Sequence, residues 1–251
     1  MYIHVSSNNT SWLLDGNFIS VITSLSIYFV YLINREMLKF MEVIITLILT
    51  LFYTSNCGEV PENQIDGLYY FYNSTGGFNW TWSPSNDSIP WDFSSYNNNN
   101  PIPNPCLDNW QGITCTTNCS QYSTCDIQSI TLAEHNLIGS IPPEISLVSY
   151  LQAINIFHNA VRGPIPTTFG LLTDLTNIII YRNYMTGTIP TELGLLKKMD
   201  YFDLGANELN GTIPWLDIPL VTVYYADTNR LTGTVPTAFG TMEYMTLLAV
   251  C

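Results

Sequence analysis

The sequence predicts an α/β-type solenoid: twenty-four-residue coils whose short strands align in one parallel, concave β-sheet, preceded by a disulfide-bearing N-terminal cap. Three observations predict it. The segments Gly139–Pro142, Gly163–Pro166, Gly187–Pro190, Gly211–Pro214 and Gly233–Pro236 all read Gly-x-Ile/Val-Pro, and they recur at one fixed spacing except for a last step that is two positions shorter. Upstream of each lies the pattern L-x-x-L-x-L-x-x-N-x-L, clearest in Leu151, Ile154, Ile156, Asn159 and Val161 and again in Leu175, Ile178, Ile180, Asn183 and Met185. Just ahead of the first repeat, Cys106, Cys115, Cys119 and Cys125 fall within twenty residues. Self-similarity at one fixed period means one structural unit stacked on itself.

Each repeat position has a physical reason. In the L-x-L segment alternate side chains point inward, and strands of successive coils pair about 4.8 Å apart. Asn159, Asn183, Asn207 and Asn229 stand in the turn after the strand, where an amide satisfies the bending backbone. His135 takes that place in the first repeat and reads as a turn residue rather than a ligand or base. Glycine gives the backbone freedom in Gly-x-Ile/Val-Pro, and proline removes a donor. Trp215–Leu220 replaces a longer convex segment in the shortened repeat, which predicts a tightened arc. Met245, Leu248 and Val250 begin a sixth repeat that stops at Cys251 inside a strand. Since terminal repeats normally carry a polar cap, the expectation is that further sequence follows.

An exposed first coil needs a cover. Ile65, Leu68, Tyr69 and Tyr72 share one helical stripe, with Asn63 as the expected N-cap and Gly76-Gly77 as the stop. Trp80, Trp82, Trp91 and Trp110 are the residues expected to pack beneath it. The four clustered cysteines read as disulfides, and short loop closure favours Cys106 with Cys115 and Cys119 with Cys125 among three pairings. A zinc site lacks both a C-x2-C knuckle and a nearby histidine, so no metal is expected.

The first 57 residues carry two apolar runs, 18–33 and 43–53, both shorter than the ~20 residues that span a bilayer. The second follows Met41, with Arg35 and Lys39 before it, and has the length of a signal-peptide core. The expected organisation is therefore an N-terminal extension and signal peptide over 1–57, with translation starting at Met41 and cleavage after Cys57, a cap over 58–127 and repeats over 128–251. The other reading makes 18–33 a signal-anchor helix. Asn-x-Ser/Thr signals at Asn8, Asn9, Asn73, Asn79, Asn86, Asn118 and Asn210 are glycosylation candidates in a secreted chain.

Charge narrows the partners. Acids outnumber bases 20 to 7 for a net −13, and the segment from Cys57 to Ile127 has no Lys or Arg. Nucleic-acid binding requires the opposite sign and is excluded. An acidic membrane surface is an equally poor partner for this region.

The run Gly67–Trp80 followed by Pro105–Cys115, together with the repeats, resembles plant-type leucine-rich-repeat proteins, a group that includes receptor-like kinases, receptor-like proteins and polygalacturonase inhibitors. The resemblance implies a right-handed superhelix, a second short strand at Gly-x-Ile/Val-Pro, and a disulfide between the cysteines flanking Trp-x-Gly, here Cys106 and Cys115. The segment between Trp82 and Pro105 and the loop from Cys119 to Cys125 depart from the family pattern.

Between and after the strand leucines, the side chains expected on the concave face are Asn155, Phe157, His158, Ile179, Tyr181, Arg182, Tyr201, Asp203, Tyr225, Asp227 and Thr228. Aromatics interspersed with charge suit recognition. No phosphate loop, nucleophile elbow, zinc-protease or kinase motif is present. Asp203 and Asp227, read as two repeats apart, are expected to stay ionised and solvated rather than act as a catalytic pair. The leading expectation is a non-enzymatic, secreted or cell-surface ectodomain without a cofactor, binding a protein, peptide or glycan, with membrane attachment through a downstream segment or the N-terminal apolar run. A secreted inhibitor of a foreign hydrolase and a structural matrix protein are the alternatives.

Overall fold

The structure, a computed structural model, describes residues 58–84, 88–94, 96, 104–116 and 124–250. The expected leader, the start at Met41, the cleavage after Cys57 and the end at Cys251 lie outside them. Asn56–Cys251 forms one compact unit, and a single apolar core runs from the cap into the last coil.

The described strands are short: β1 (Ile113–Cys115), β2 (Ile127–Thr131), β3 (Ile138–Ser140), β4 (Ala153–Asn155), β5 (Ala160–Gly163), β6 (Asn177–Ile179), β7 (Tyr184–Met185), β8 (Tyr201–Asp203), β9 (Asn210–Thr212), β10 (Val223–Tyr225), β11 (Arg230–Thr232) and β12 (Leu247–Ala249). The main sheet has seven strands in the order β1-β2-β4-β6-β8-β10-β12. It is parallel throughout except that β1 runs antiparallel to β2. The middle residues Ile130, Ile154, Ile178, Phe202 and Tyr224 pair in one continuous register, and all are buried. That row is the spine of the core.

The second strand of each coil builds two flanking sheets, β3-β5-β7 and β9-β11. Main-sheet partners such as Ile154 and Ile178 are one full repeat apart in sequence, whereas flank partners such as Gly139 and Val161 are two positions closer than that. The unequal offset turns each coil against the last. Gly211 shows why the motif needs glycine: its φ is +80°, and a Cβ there would lie 2.9 Å from Thr188 Cγ2. The residue after one coil's glycine therefore packs against the glycine of the next.

On the convex side, single 3-10 turns at Pro143–Leu147, Thr167–Leu171, Thr191–Leu195 and Thr237–Thr241 return the chain to the sheet. Trp215–Leu220 forms no such turn. The two-residue deficit is absorbed there, because β8 and β10 still pair residue for residue, Tyr201 with Val223.

In the cap, α1 (Glu62–Ser74) buries Ile65, Leu68, Phe71 and Tyr72 and leaves Tyr69 half-exposed. Gly67 lets it approach the first convex turn closely, since a Cβ would meet Val148 Cγ2 at 2.8 Å. Asn63 is not the N-cap. Pro61 precedes the first turn and makes no side-chain cap, while Asn63 Nδ2, inside the helix, donates to Leu147 O at 3.2 Å. Gly76, at φ +72°, stops the helix as expected. Trp80, Trp91 and Trp110 are buried and Trp82 packs partly buried beside them. Trp91 and Trp110 stack at 5.7 Å. Cys106 and Cys115 form a disulfide with Cα atoms 5.9 Å apart. Cys125 is fully buried and disulfide-bonded, and Cys119 lies outside the described residues.

Candidate ligand-binding face

The outward residues of the main sheet form rows that cross it at right angles to the strands. In the first row Asn155, Ile179, Asp203 and Tyr225 are strand partners. In the second, just past the strands, Phe157, Tyr181, Gly205 and Asp227 follow one another. The adjoining turn links them, with His158 N–H donating to Tyr181 O at 2.9 Å, Arg182 N–H to Gly205 O at 3.1 Å and Ala206 N–H to Asp227 O at 3.0 Å. Ten of the eleven residues expected on this face are half-buried or exposed, and Asp203 alone is buried.

Aromatic contacts join residues of the face within and between coils. Phe157 and Tyr181 stack at 6.4 Å, Phe157 also stacks on His158 at 5.9 Å, and Tyr201 meets Tyr225 edge-on at 6.3 Å. The Arg182 guanidinium lies 5.6 Å from the Tyr181 ring centre, a cation–π contact. His158 Nδ1 and Glu134 Oε1 are 3.0 Å apart at the surface. Asn155 Oδ1 accepts from Phe157 N–H at 3.2 Å, and Thr228 Oγ1 donates to Asp227 Oδ2 at 3.1 Å. These local bonds hold the face in shape before anything binds.

His158, Arg182 and Thr228 stand at φ between +54° and +56°, in the left-handed region, as do Glu134 and Ala206 in the equivalent turns. These residues mark the turn that follows each strand of the face. The asparagines that follow hold it: Asn183 Nδ2 donates to Ile156 O at 2.9 Å and to Ile180 O at 3.1 Å, while its Oδ1 accepts from Val161 N–H at 3.0 Å. His135 reproduces this only in part. Its Nδ1 is 2.5 Å from Ala133 O and its ring meets Trp82 edge-on, but Nε2 is buried with no partner among the described residues.

The acids depart from expectation. Asp203, the last residue of β8, and Asp227, two residues past β10, belong to neighbouring coils, not to coils two repeats apart, and Asp203 is only 9% exposed. Burial pushes the Asp203 carboxyl above its ordinary range; the Gly205 N–H opposes this and the Asp227 charge adds to it. The Tyr201 hydroxyl is raised as well, by burial and then by Asp203 and Tyr225. Gly205, which the sequence reading passed over, is what brings the acids together. A Cβ there would lie 3.2 Å from Asp227 Oδ1, 3.3 Å from Asp203 Oδ1 and 3.2 Å from Tyr181 Cδ2.

Among the described residues, no group of three or more His, Cys, Asp or Glu could hold a metal ion, and no helix is long and apolar enough to cross a membrane. The glycosylation candidates Asn73, Asn79 and Asn210 are exposed, with Asn210 on flank strand β9. Asn8, Asn9, Asn86 and Asn118 lie outside the described residues.

No family model matches the chain, and no curated protein matches it. Solved structures do. The ectodomain of the receptor kinase SOBIR1 from Arabidopsis thaliana aligns over 76% of this chain and 93% of its own, with a TM-score of 0.61 at 17% identity. PEPR1–AtPEP1 aligns over 76% of this chain with a TM-score of 0.61 at 26% identity, but over only 24% of that chain. The BIR3–SERK2 complex from Arabidopsis thaliana gives a TM-score of 0.54 at 24% identity, over 74% of this chain and 93% of that one. Repeats, turn asparagines, cap disulfide and these likenesses together show that the protein has the leucine-rich-repeat solenoid fold seen in plant receptor-kinase ectodomains.

Proposed function

We propose that the protein is an extracellular recognition module, the ligand-binding ectodomain of a receptor-like protein or receptor-like kinase, and that it holds a peptide or protein on the concave face of the main sheet. The observation that carries this reading is the set of half-exposed rings, Phe157, Tyr181, Tyr201 and Tyr225, one from each of four adjacent coils, in two contacting pairs. Rigid aromatic side chains lose little entropy on binding and anchor interfaces. An extended ligand running along the rows would have one ring within reach in each coil. The likeness to PEPR1 in the PEPR1–AtPEP1 structure supports the same reading.

Selection of peptides from a display library against the full chain tests it. Selected peptides should lose binding to Tyr181→Ala and Tyr225→Ala while both variants keep the wild-type melting temperature within a few degrees. Peptides unaffected by either change would place recognition elsewhere. Sequencing the transcript beyond the codon for Cys251 separates receptor from free binder: a membrane span with kinase motifs makes the first, a capping repeat and stop codon the second.

A further inference from the structure

The second row of the face is interrupted. Phe157 and Tyr181 fill it in two coils, Gly205 leaves it empty in the third, and Asp227 resumes it in the fourth. Into the gap, from the first row, comes the Asp203 carboxylate, so that two acids close over one glycine with Tyr181 on the other side.

Asp203 is nine-tenths buried. Its Oδ1 accepts from Gly205 N–H at 3.0 Å, and among the described residues Oδ2 accepts no hydrogen bond. None of the described ion pairs, His158–Glu134, Lys197–Asp217, Lys198–Asp174 and Arg230–Glu208, involves Asp203 or Asp227. A buried carboxylate is costly unless paired. Desolvation lifts the Asp203 carboxyl, and the Asp227 carboxylate, gathered over the same glycine, lifts it further. For stability alone the arrangement is unfavourable, and a cation arriving from solution would reverse the sign. The rings of Tyr201 and Tyr225 lie beside Asp203 and add aromatic surface for the same cation, while Tyr181 already carries Arg182 over its ring.

We propose that Asp203 and Asp227, gathered over Gly205 and flanked by Tyr181, Tyr201 and Tyr225, form a subsite for a basic side chain of the peptide ligand. Arginine fits best: its planar fork can meet two carboxylates at once and its face stacks on tyrosine. This inference rests on the peptide-binding reading above and names the chemistry at one of its positions.

Two twelve-residue display libraries, one containing Lys and Arg and one lacking both, are panned against the full chain, and selected peptides are measured on Asp203→Asn, Gly205→Ala and Tyr225→Ala. Asp203→Asn keeps the acceptor for Gly205 N–H while removing the charge. Gly205→Ala keeps both charges but pushes them apart, so a diffuse acidic surface would survive it and a built subsite would not. The expected result is tight binders from the basic library alone, carrying Arg or Lys and weakened at least about tenfold by both changes, as loss of a buried charge partner does. Equally tight binders from the library without basic residues, weakened by Tyr225→Ala, would overturn the subsite and leave the binding face standing. Basic binders indifferent to Asp203→Asn and Gly205→Ala would also overturn the subsite. If neither library yields a binder weakened by Tyr225→Ala, subsite and face fall together.

Discussion

Asn207 Nδ2 donates to Ile180 O of the preceding coil at 3.0 Å and to its own coil's Leu204 O at 3.1 Å, while Oδ1 accepts from Met185 N–H at 3.0 Å. One buried amide thus satisfies a backbone donor in the coil before it and carbonyls on both sides of the step. Asn229 repeats the arrangement with Leu204, Ala226 and Leu209. The asparagine couples neighbouring coils, and the strand spine supplies the apolar contact between them.

Replacing Asn207 by Ala therefore strands the Met185 N–H in a dry site, whereas Ile180 O keeps its hydrogen bond from Asn183 Nδ2. One unsatisfied buried donor costs about 1–3 kcal/mol, and that is the expected loss. Urea unfolding followed by circular dichroism measures it. A denaturation midpoint indistinguishable from the wild type's would mean that water replaces the amide and that the ladder is dispensable.

Backbone sign gives opposite predictions at two small residues. Ala206 sits at φ +48°, where an L-residue costs about 1 kcal/mol that glycine does not, so Ala206→Gly should raise the melting temperature despite a more flexible unfolded chain. Gly112, in the Trp-x-Gly segment of the cap, sits at φ +79° with Thr131 O only 2.2 Å from the position of a Cβ. Gly112→Ala should lower the melting temperature sharply or abolish the yield of folded protein. Thermal melts of both variants beside the wild type check the pair.

The raised Asp203 carboxyl makes stability depend on pH. A folded state that holds this proton more tightly than the unfolded chain gains stability at low pH and loses it as pH rises from the ordinary carboxylate value through the raised one. Asp203→Asn removes that loss. Its melting temperature should exceed the wild type's at pH 7 and converge on it near pH 3, and a constant difference across that range would contradict the burial argument.

Much of the molecule is legible in the sequence because the repeat imposes one demand at the same place each time. Leu151, Ile154 and Ile156, and the asparagines after them, could be assigned from period alone, and all occupy the expected core and turn positions. The Cys106–Cys115 bridge followed from the resemblance around Trp110 and from loop closure. What escaped depends on contacts between distant residues or on backbone shape. Gln64 is 1% exposed between Ile65 and its own partners, donating to Asp126 Oδ1 at 2.7 Å and accepting from Ile127 N–H at 2.9 Å, some sixty positions away. The left-handed turn position carries Glu134, His158, Arg182, Ala206 and Thr228, so the constraint is conformational and leaves no residue pattern. Tyr224 occupies a leucine position with its hydroxyl buried and unpartnered among the described residues, between the rings of Phe202 and Phe239. The burial of Asp203 escapes the sequence because its carboxylate folds back onto the Gly205 N–H, a local contact that its own repeat position does not reveal.

The central claim is that the ligand lies across the concave sheet, and amide hydrogen exchange of the full chain with and without a selected peptide tests it most directly. Protection should appear in four patches one coil apart, at residues 153–158, 177–182, 201–206 and 223–228, and leave the convex turns 167–171 and 191–195 unchanged. Protection confined to those convex turns, or to the flank strands β3, β5 and β7, would contradict the account.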